Sequence, residues 1–550
     1  MEMHPATLWE AIADRVPDHP ALVQGARRVT WGEFDDRASR LAAALVAAGV
    51  APGDTVGLLL RNAPEYVEAY LAALKVRAVP FNVNHRYTAE EVAYLLDDAD
   101  AVALVFHASL GSVAAGAVER ARVAPRLLVE VDDPGGVAAD DGSTAGSRGG
   151  VGRGPVGEPY EAVLAAHDPA ARIARDPDDR TMTYTGGTTG LPKGVVATVG
   201  PALEGLIATV PPLIGEAAVP IDEVPALAAR LAGEGRAMVS LPASPLMHGT
   251  GMLIGTTPTL AVGGTIVLLE GRRFDPAEMW DTVARERVTA VTIVGDPFAR
   301  PMRAELDARP GRDLSSLRSI SSAGAMFSQE EKDGLLVHLP QLLILDFVAA
   351  TEGSMGMSVS TAASPAPTAR FRPGPGVILI DATDRPLPDG STEPGLVAIP
   401  GATGRYHGDD VKTAATFRTI DGERYSVPGD WAVRNDDGTL TLLGRGSACI
   451  NTAGEKVFAE EVEEALKAHP AVADALVFGV PDDRYGQRVA AVVARTPGRD
   501  DPVDDVLAEV RDHLASYKVP RSVAVVDEVP RTQVGKPDYP GARALFDAAS

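Results

Sequence analysis

The chain has 550 residues, 45% apolar and 23% charged, and 51 basic against 75 acidic side chains leave a net charge of −24. Duplex nucleic acid and an anionic lipid surface would repel so acidic a body, and its apolar content excludes wholesale disorder. The single cysteine, Cys449, excludes an intrachain disulfide and a zinc site built on several thiolates, and reads as a small buried residue.

At ~150 residues per domain the length suggests three or four units. The opening stretch MEMHPATLWEAIADRVPDHP lacks a basic lead and an apolar core, so no secretory signal is read there and a cytoplasmic setting is expected. Residues 38–48 carry apolar side chains at helical spacing, stopped by Gly49 and Pro52-Gly53. VGLLL at 56–60 reads as an apolar strand, residues 65–74 as a helix and VALVF at 102–106 as another strand. Apolar strands alternating with amphipathic helices predict parallel sheets covered on both faces.

Residues 132–157, rich in Gly, Asp and Ser, read as a surface insertion. The GxGxxG match at Gly152, Gly154 and Gly157 follows no strand and contains Pro155, so it is not read as a dinucleotide site. Residues 181–184 predict a strand running into YTGGTTGLPKGV at 184–195. Its glycines let backbone N–H groups face an anion, its threonines add hydroxyl donors and Lys193 adds charge. Thr185, Gly186, Gly187, Thr188, Thr189, Gly190 and Lys193 therefore form a phosphate cradle by chemistry, distinct from the GxxxxGK[ST] loop.

Residues 217–235 predict a peripheral acidic helix. The uncharged run 249–269 is broken by Pro258 and Gly263-Gly264, so it reads as buried helix, turn and strand, not a membrane span. Residues 291–294 and 342–345 predict buried strands. Residues 377–443 predict a hairpin-rich β region, with turns at Pro388-Asp389-Gly390, Asp421-Gly422 and Asp436-Asp437-Gly438. A compact unit follows, with helices at 459–468 and 506–516 and strands at 475–480, 489–494 and 522–526. The fold class is α/β: a large N-terminal domain, residues 1–445, of layered α/β subdomains plus the β-rich part, and a small α+β C-terminal domain, residues 446–550.

The segment 184–195 resembles the phosphate loop of the adenylate-forming superfamily of acyl-CoA synthetases, luciferases and adenylation domains. Further motifs resemble that family in order: LPASPLMHGTG at 241–251, SSAGAMFS at 321–328, DFVAATEG at 346–353, RYSVPGDWA at 424–432, GRGSACINTAGEKVFAEEVE at 444–463 and PRTQVGKPDY at 530–539. The signatures TGGTTG, VGDPFARP at 294–301 and GEKVFAEEVEEALKAHPAVADALV are similar to the actinobacterial fatty-acid-CoA-ligase-like branch.

The resemblance implies ATP- and Mg²⁺-dependent adenylation of an acid, release of pyrophosphate, and transfer to a thiol, usually that of coenzyme A. It implies that Lys536 bridges the α-phosphate and the carboxylate, that Glu352 holds Mg²⁺, and that Thr351 holds phosphate. By the same resemblance Asp430 takes the ribose hydroxyls, Arg445 touches ribose or phosphate, and Gly324, Ala325 and Asp346 lie on the adenine side. His248 would sit between the acid pocket and the pyrophosphate exit. The C-terminal domain would pivot at Ser447, showing Lys536 in one pose and the Gly454-Glu455-Lys456 loop in the other. The partners are a small-molecule acid and an acceptor, with no nucleic acid and no integral membrane segment, in a monomer or a homodimer.

Some residues depart from the family pattern. Val348 and Ala349 replace a Tyr-Gly pair beside adenine, Ala453 replaces a glycine on the thiol path, and Arg405 replaces the glycine of a G-Y-Y-type turn. The nucleotide half is orthodox and the acceptor half less so. The branch also includes ATP-dependent diazotases of secondary metabolism, which activate nitrite and join it to an aryl amine without coenzyme A. Acid and acceptor pockets are expected among residues 201–354.

Overall fold

The computed structural model describes residues 1–133, 156–185, 191–325, 327–367, 370–381, 383–445, 449–452, 455–530 and 538–549, without the side chains of residues 443–445, 449, 456, 458, 460, 464 and 540. Gly186, Gly187, Thr188, Thr189, Gly190, Ser447, Ala453, Gly454, Lys536 and most of the 132–157 insertion lie outside the described residues, as do the side chains of Arg445 and Cys449.

Two sheets organise the large N-terminal domain. Among the described residues the first has eight strands, in the order Arg405–Tyr406, Lys193–Thr198, Arg180–Thr185, Val79–Asn82, Thr55–Leu59, Ala101–His107, Leu127–Val131, Glu158–Pro159. From Arg180–Thr185 onward its neighbours run parallel, and the other edge is antiparallel. The second sheet has a parallel centre of Pro20–Gln24, Thr265–Leu268, Val239–Pro242, Ala290–Ile293, Ser319–Ala323 and Leu343–Ala350. It turns antiparallel at Gly353–Ser360 and continues into the β-rich part. The central strands are buried, in keeping with their mostly apolar, β-branched sequences.

Local chemistry shifts several expected boundaries. The helix expected from residue 38 starts at Trp31, because Thr30 and Glu33 form a reciprocal capping box. The helix expected over 217–235 is confined to Val224–Gly233, with Pro225 in its first turn and a single 3₁₀ turn at Ile221–Glu223 before it. The helix expected at 506–516 runs from Val503 to His513. Asp421 and Gly422, with φ of +50° and +86°, make the two-residue turn of a hairpin. The β-rich region also holds an unexpected helix, Asp410–Thr416, capped by the Asp409 side chain.

The C-terminal domain is a five-stranded sheet with helices Ala459–Ala468, Val503–His513 and Tyr539–Ala549 among the described residues. The ribbon Cys449–Thr452 and Glu455–Phe458 at its edge was not legible from periodicity. Ala515 of this domain is buried in the cluster that holds Tyr87, Val92 and Ala93, so the two domains share a packed seam. No helix among the described residues is long and apolar enough to cross a membrane.

Candidate active site

Each N-terminal sheet has a point where the strand order reverses. Thr55–Leu59 lies between Val79–Asn82 and Ala101–His107, and Val239–Pro242 lies between Thr265–Leu268 and Ala290–Ile293. Crevices open at the carboxyl ends of strands at such points. His248 follows Val239–Pro242, and two asparagines at strand ends of the first sheet pin its loop. Asn62 Nδ2 donates to the Ser244 carbonyl at 3.1 Å and its Oδ1 accepts from Leu246 N at 2.8 Å. Asn82 Nδ2 donates to the Met247 carbonyl at 2.7 Å. Sequence reasoning missed both; the available signal was an amide side chain at or just beyond the carboxyl end of an apolar strand.

A second group of candidate site residues gathers on the edge of the first sheet. Thr185 pairs with Lys193, so one hairpin holds both ends of the glycine loop. Lys193 Nζ lies 3.5 Å from Asp409 Oδ2. Tyr406 pairs with Val195, and its hydroxyl donates to the Glu352 carboxylate. Thr351 and Glu352 are the two-residue link between Leu343–Ala350 and Gly353–Ser360, whose last rung joins Ala350 to Gly353. Lys412 Nζ sits 4.3 Å from the Tyr406 ring centre. The strand Arg405–Tyr406 thus draws Lys193, Glu352 and Asp409 to one edge. Tyr406 and Asp409 were not read as site residues, because their role depends on an edge pairing between distant segments.

Gly324 follows Ser319–Ala323 with φ of +88°, and a Cβ there would lie 3.5 Å from Thr250 Oγ1. Gly324 and Ala325 therefore border the His248 loop. Asp346 lies on Leu343–Ala350 with Lys332 Nζ at 3.4 Å, and Lys332 is 1% exposed. Burial lifts the Asp346 carboxyl to about 6 against the downward pull of Lys332. Asp430 is buried at the start of Asp430–Arg434, and its backbone pairs with that of Arg445.

The C-terminal domain completes the site. Glu455, 4% exposed, places Oε2 3.1 Å from His248 Nε2 and accepts from Asn84 Nδ2 at 3.3 Å, while Arg86 Nη1 lies 3.7 Å from Oε1. Burial pushes the Glu455 carboxyl up, but His248 and Arg86 outweigh it and hold the group at about 2. Beside His248 is a cavity of about 30 Å³ whose walls include Tyr66, Tyr70, Asn82, Thr183 and Met252. Tyr66 and Tyr70 come from the helix Pro64–Lys75, and Asn82 and Thr183 from strands of the first sheet. The first sheet supplies a wall there because its strand ends face the loop of the second.

No group of three or more metal-ligating side chains occurs among the described residues. Glu352, a hard oxygen donor on a turn beside Tyr406, suits an ion that takes one carboxylate and completes its shell with substrate phosphates.

Residues 9–404 match the family model described as AMP-binding enzyme, and residues 461–536 match the AMP-binding enzyme C-terminal domain. The chain is 38% identical to a 3-oxocholest-4-en-26-oate–CoA ligase of Rhodococcus rhodochrous, over 99% of this chain and 96% of that one. It is equally 38% identical to a medium/long-chain-fatty-acid–CoA/3-oxocholest-4-en-26-oate–CoA ligase of Mycobacterium tuberculosis, with the same coverage of both. Among solved structures, the amide bond synthetase McbA from Marinactinospora thermotolerans superposes with a TM-score of 0.75 at 26% identity, over 98% of this chain and 99% of that one.

Proposed function

The chain belongs to the AMP-binding enzyme family, and from that premise we propose that it uses ATP to adenylate an acid and then transfers the acyl group to coenzyme A. The acceptor assignment is supported by CoA ligases 38% identical over nearly the whole chain. The observation that carries the two-step reading is Glu455 of the small domain buried against His248 of the large one.

In the first step a carboxylate oxygen of the acid attacks the α-phosphorus, the bond to the β-phosphate oxygen breaks, and pyrophosphate leaves. Little covalent work falls to the protein, so catalysis is positioning plus fixed positive charge. The 185–190 loop, Thr351 and Lys193 hold phosphate, and Lys536 sits between the α-phosphate and the carboxylate. Gly324, Ala325 and Asp346 line the adenine side, and Asp430 and Arg445 hold the ribose. Glu352 would hold Mg²⁺ with the phosphates, where the ion supplies neutralisation of charge on the leaving pyrophosphate. In the second step the thiolate sulfur attacks the acyl carbon and AMP leaves. The observed docking, with the Glu455 loop at His248, is the pose we assign to that step, reached by turning about Ser447.

The test is ATP–pyrophosphate exchange across a panel of acids that includes dodecanoate, benzoate and nitrite, followed by mass spectrometry for a coenzyme A thioester. Acid-dependent exchange with a thioester product is expected; exchange without any thioester would remove coenzyme A from the reading.

A second reading keeps the adenylation half and replaces the thiol by an amine. The likeness to an amide bond synthetase favours it, as does the departure at Ala453 on the thiol path. Its extreme form is an ATP-dependent diazotase, in which nitrite is the acid and an aryl amine the acceptor. ATP consumption that requires nitrite plus an aryl amine and ignores coenzyme A would establish it.

A further inference from the structure

Lys518 lies in the seam between the domains, 2% exposed, and neither step above makes use of it. Its Nζ donates to Glu91 Oε1 of the large domain at 2.8 Å and to Glu461 Oε1 of its own domain at 2.7 Å. The side chains of Glu91 and Glu461 are only 9% and 7% exposed, and the Tyr87 ring centre lies 4.6 Å from the ammonium. An ammonium this dry is tolerable only with such partners.

Glu91 is oriented before the small domain arrives. Its Oε2 accepts from Thr88 N at 2.8 Å while Thr88 Oγ1 accepts from Glu91 N, a capping box that starts the helix Ala89–Asp98. One carboxylate oxygen is therefore fixed by local sequence, and the other is left facing the seam. The same stretch of chain holds the Glu455 loop: Asn84 Nδ2 donates both to Glu455 and to Tyr517 Oη, the latter at 3.2 Å. His513 Nδ1 adds a contact to Glu90 Oε2 at 3.3 Å.

We propose that Lys518 is a positioning residue for the transfer step: shared between Glu91 and Glu461, its ammonium holds the small domain in the pose that sets Glu455 beside His248. This rests on the two-step reading above. Turning the domain away separates Lys518 from Glu91 and returns both to water, with Glu461 still at hand. Breaking the seam therefore strands no buried charge, and the two poses can stay near balance.

The test uses the full-length protein. Glu91→Gln keeps an N3 side chain able to close the capping box but removes the charge facing Lys518, and Lys518→Met removes the ammonium. With dodecanoate as the acid, pyrophosphate exchange should stay within about twofold of the parent. Single-turnover transfer from preformed acyl-adenylate should slow about tenfold, and the double variant should be no slower than Lys518→Met alone. In the protein without substrates, hydrogen exchange should rise in residues 84–98 and 513–521 for both variants and stay unchanged in the strand Thr55–Leu59. Equal slowing of both steps, or unchanged protection along the seam, would overturn the proposal. If the parent shows no exchange with dodecanoate, the reading fails for that acid while seam protection still decides the role of Lys518. Should Lys518→Met fail to fold, Glu91→Gln alone decides between these outcomes, because it leaves the Lys518–Glu461 pair intact.

Discussion

Nε2 of His248 lies 3.1 Å from Oε2 of Glu455, one residue from each domain, in a site where Glu455 is only 4% exposed. A carboxylate this buried requires opposite charge or donors, and His248, Arg86 and Asn84 provide them. The pair therefore links the His248 loop of the large domain to the position of the small one.

Glu455→Gln should leave pyrophosphate exchange intact and slow transfer about tenfold or more, since removing one partner of a buried charged pair costs several kcal/mol. The pH dependence follows from a carboxyl held at about 2 against an ordinary 4.5. Its contribution to docking is fully present above 4.5 and is lost as pH falls through about 2. Small-angle scattering should show the parent docked near pH 6 and the variant already loosened there; identical profiles for the two would remove Glu455 as a docking group.

Lys536→Ala should reduce exchange by at least about a hundredfold, the scale on which a positioned charge at a reacting phosphate acts. Circular dichroism and melting temperature should match the parent. An unchanged exchange rate would remove the assignment of Lys536 to adenylation.

Tyr406→Phe deletes the hydroxyl that donates to Glu352. Partners that orient a metal-holding carboxylate typically contribute about ten- to a hundredfold in metal affinity. Titrating Mg²⁺ at fixed ATP in the exchange assay should show a correspondingly higher requirement, and an unaltered Mg²⁺ dependence would show that Tyr406 does not orient Glu352 for the ion.

Lys332→Met leaves the partly buried Asp346 without its cation. Burial already raises that carboxyl from 3.8 to about 6, so its ionised form is disfavoured in the folded state. For an acid raised in this way, the stability it contributes is present below 3.8 and is lost as pH rises through about 6. Without Lys332 the loss deepens, so the melting temperature should drop by roughly 4 °C near pH 8 and by less near pH 5. An equal drop at both values would point to lost packing of the lysine stem instead of an uncompensated carboxylate.

Apolar runs and turn residues were enough to place the strands Thr55–Leu59, Ala101–His107, Ala290–Ile293 and Ser522–Val526 to within a residue or two. Helix ends were harder, because caps such as Thr30 with Glu33 lie outside the apolar repeat. The helix Asp410–Thr416 was invisible, since its stability depends on a cap and an edge strand, not on periodicity. In the site, Lys193, His248 and Glu352 were legible as residue types inside motifs. Their neighbours Asn62, Asn82, Tyr406 and Asp409, and the Lys332 that faces Asp346, were not, because each acts through a partner outside its own segment.

Composition and local pattern by themselves determined that the chain is an acidic α/β protein with a glycine-rich segment after one apolar strand and a small C-terminal unit, because burial periodicity and turn chemistry are local properties. The tertiary structure alone decided which charges meet. Glu455 reaches His248, Glu352 takes the Tyr406 hydroxyl, and Lys518 bridges Glu91 and Glu461. Each pairing depends on desolvation and on an approach of a few ångströms between distant segments, and both arise only when sheet and domain are packed.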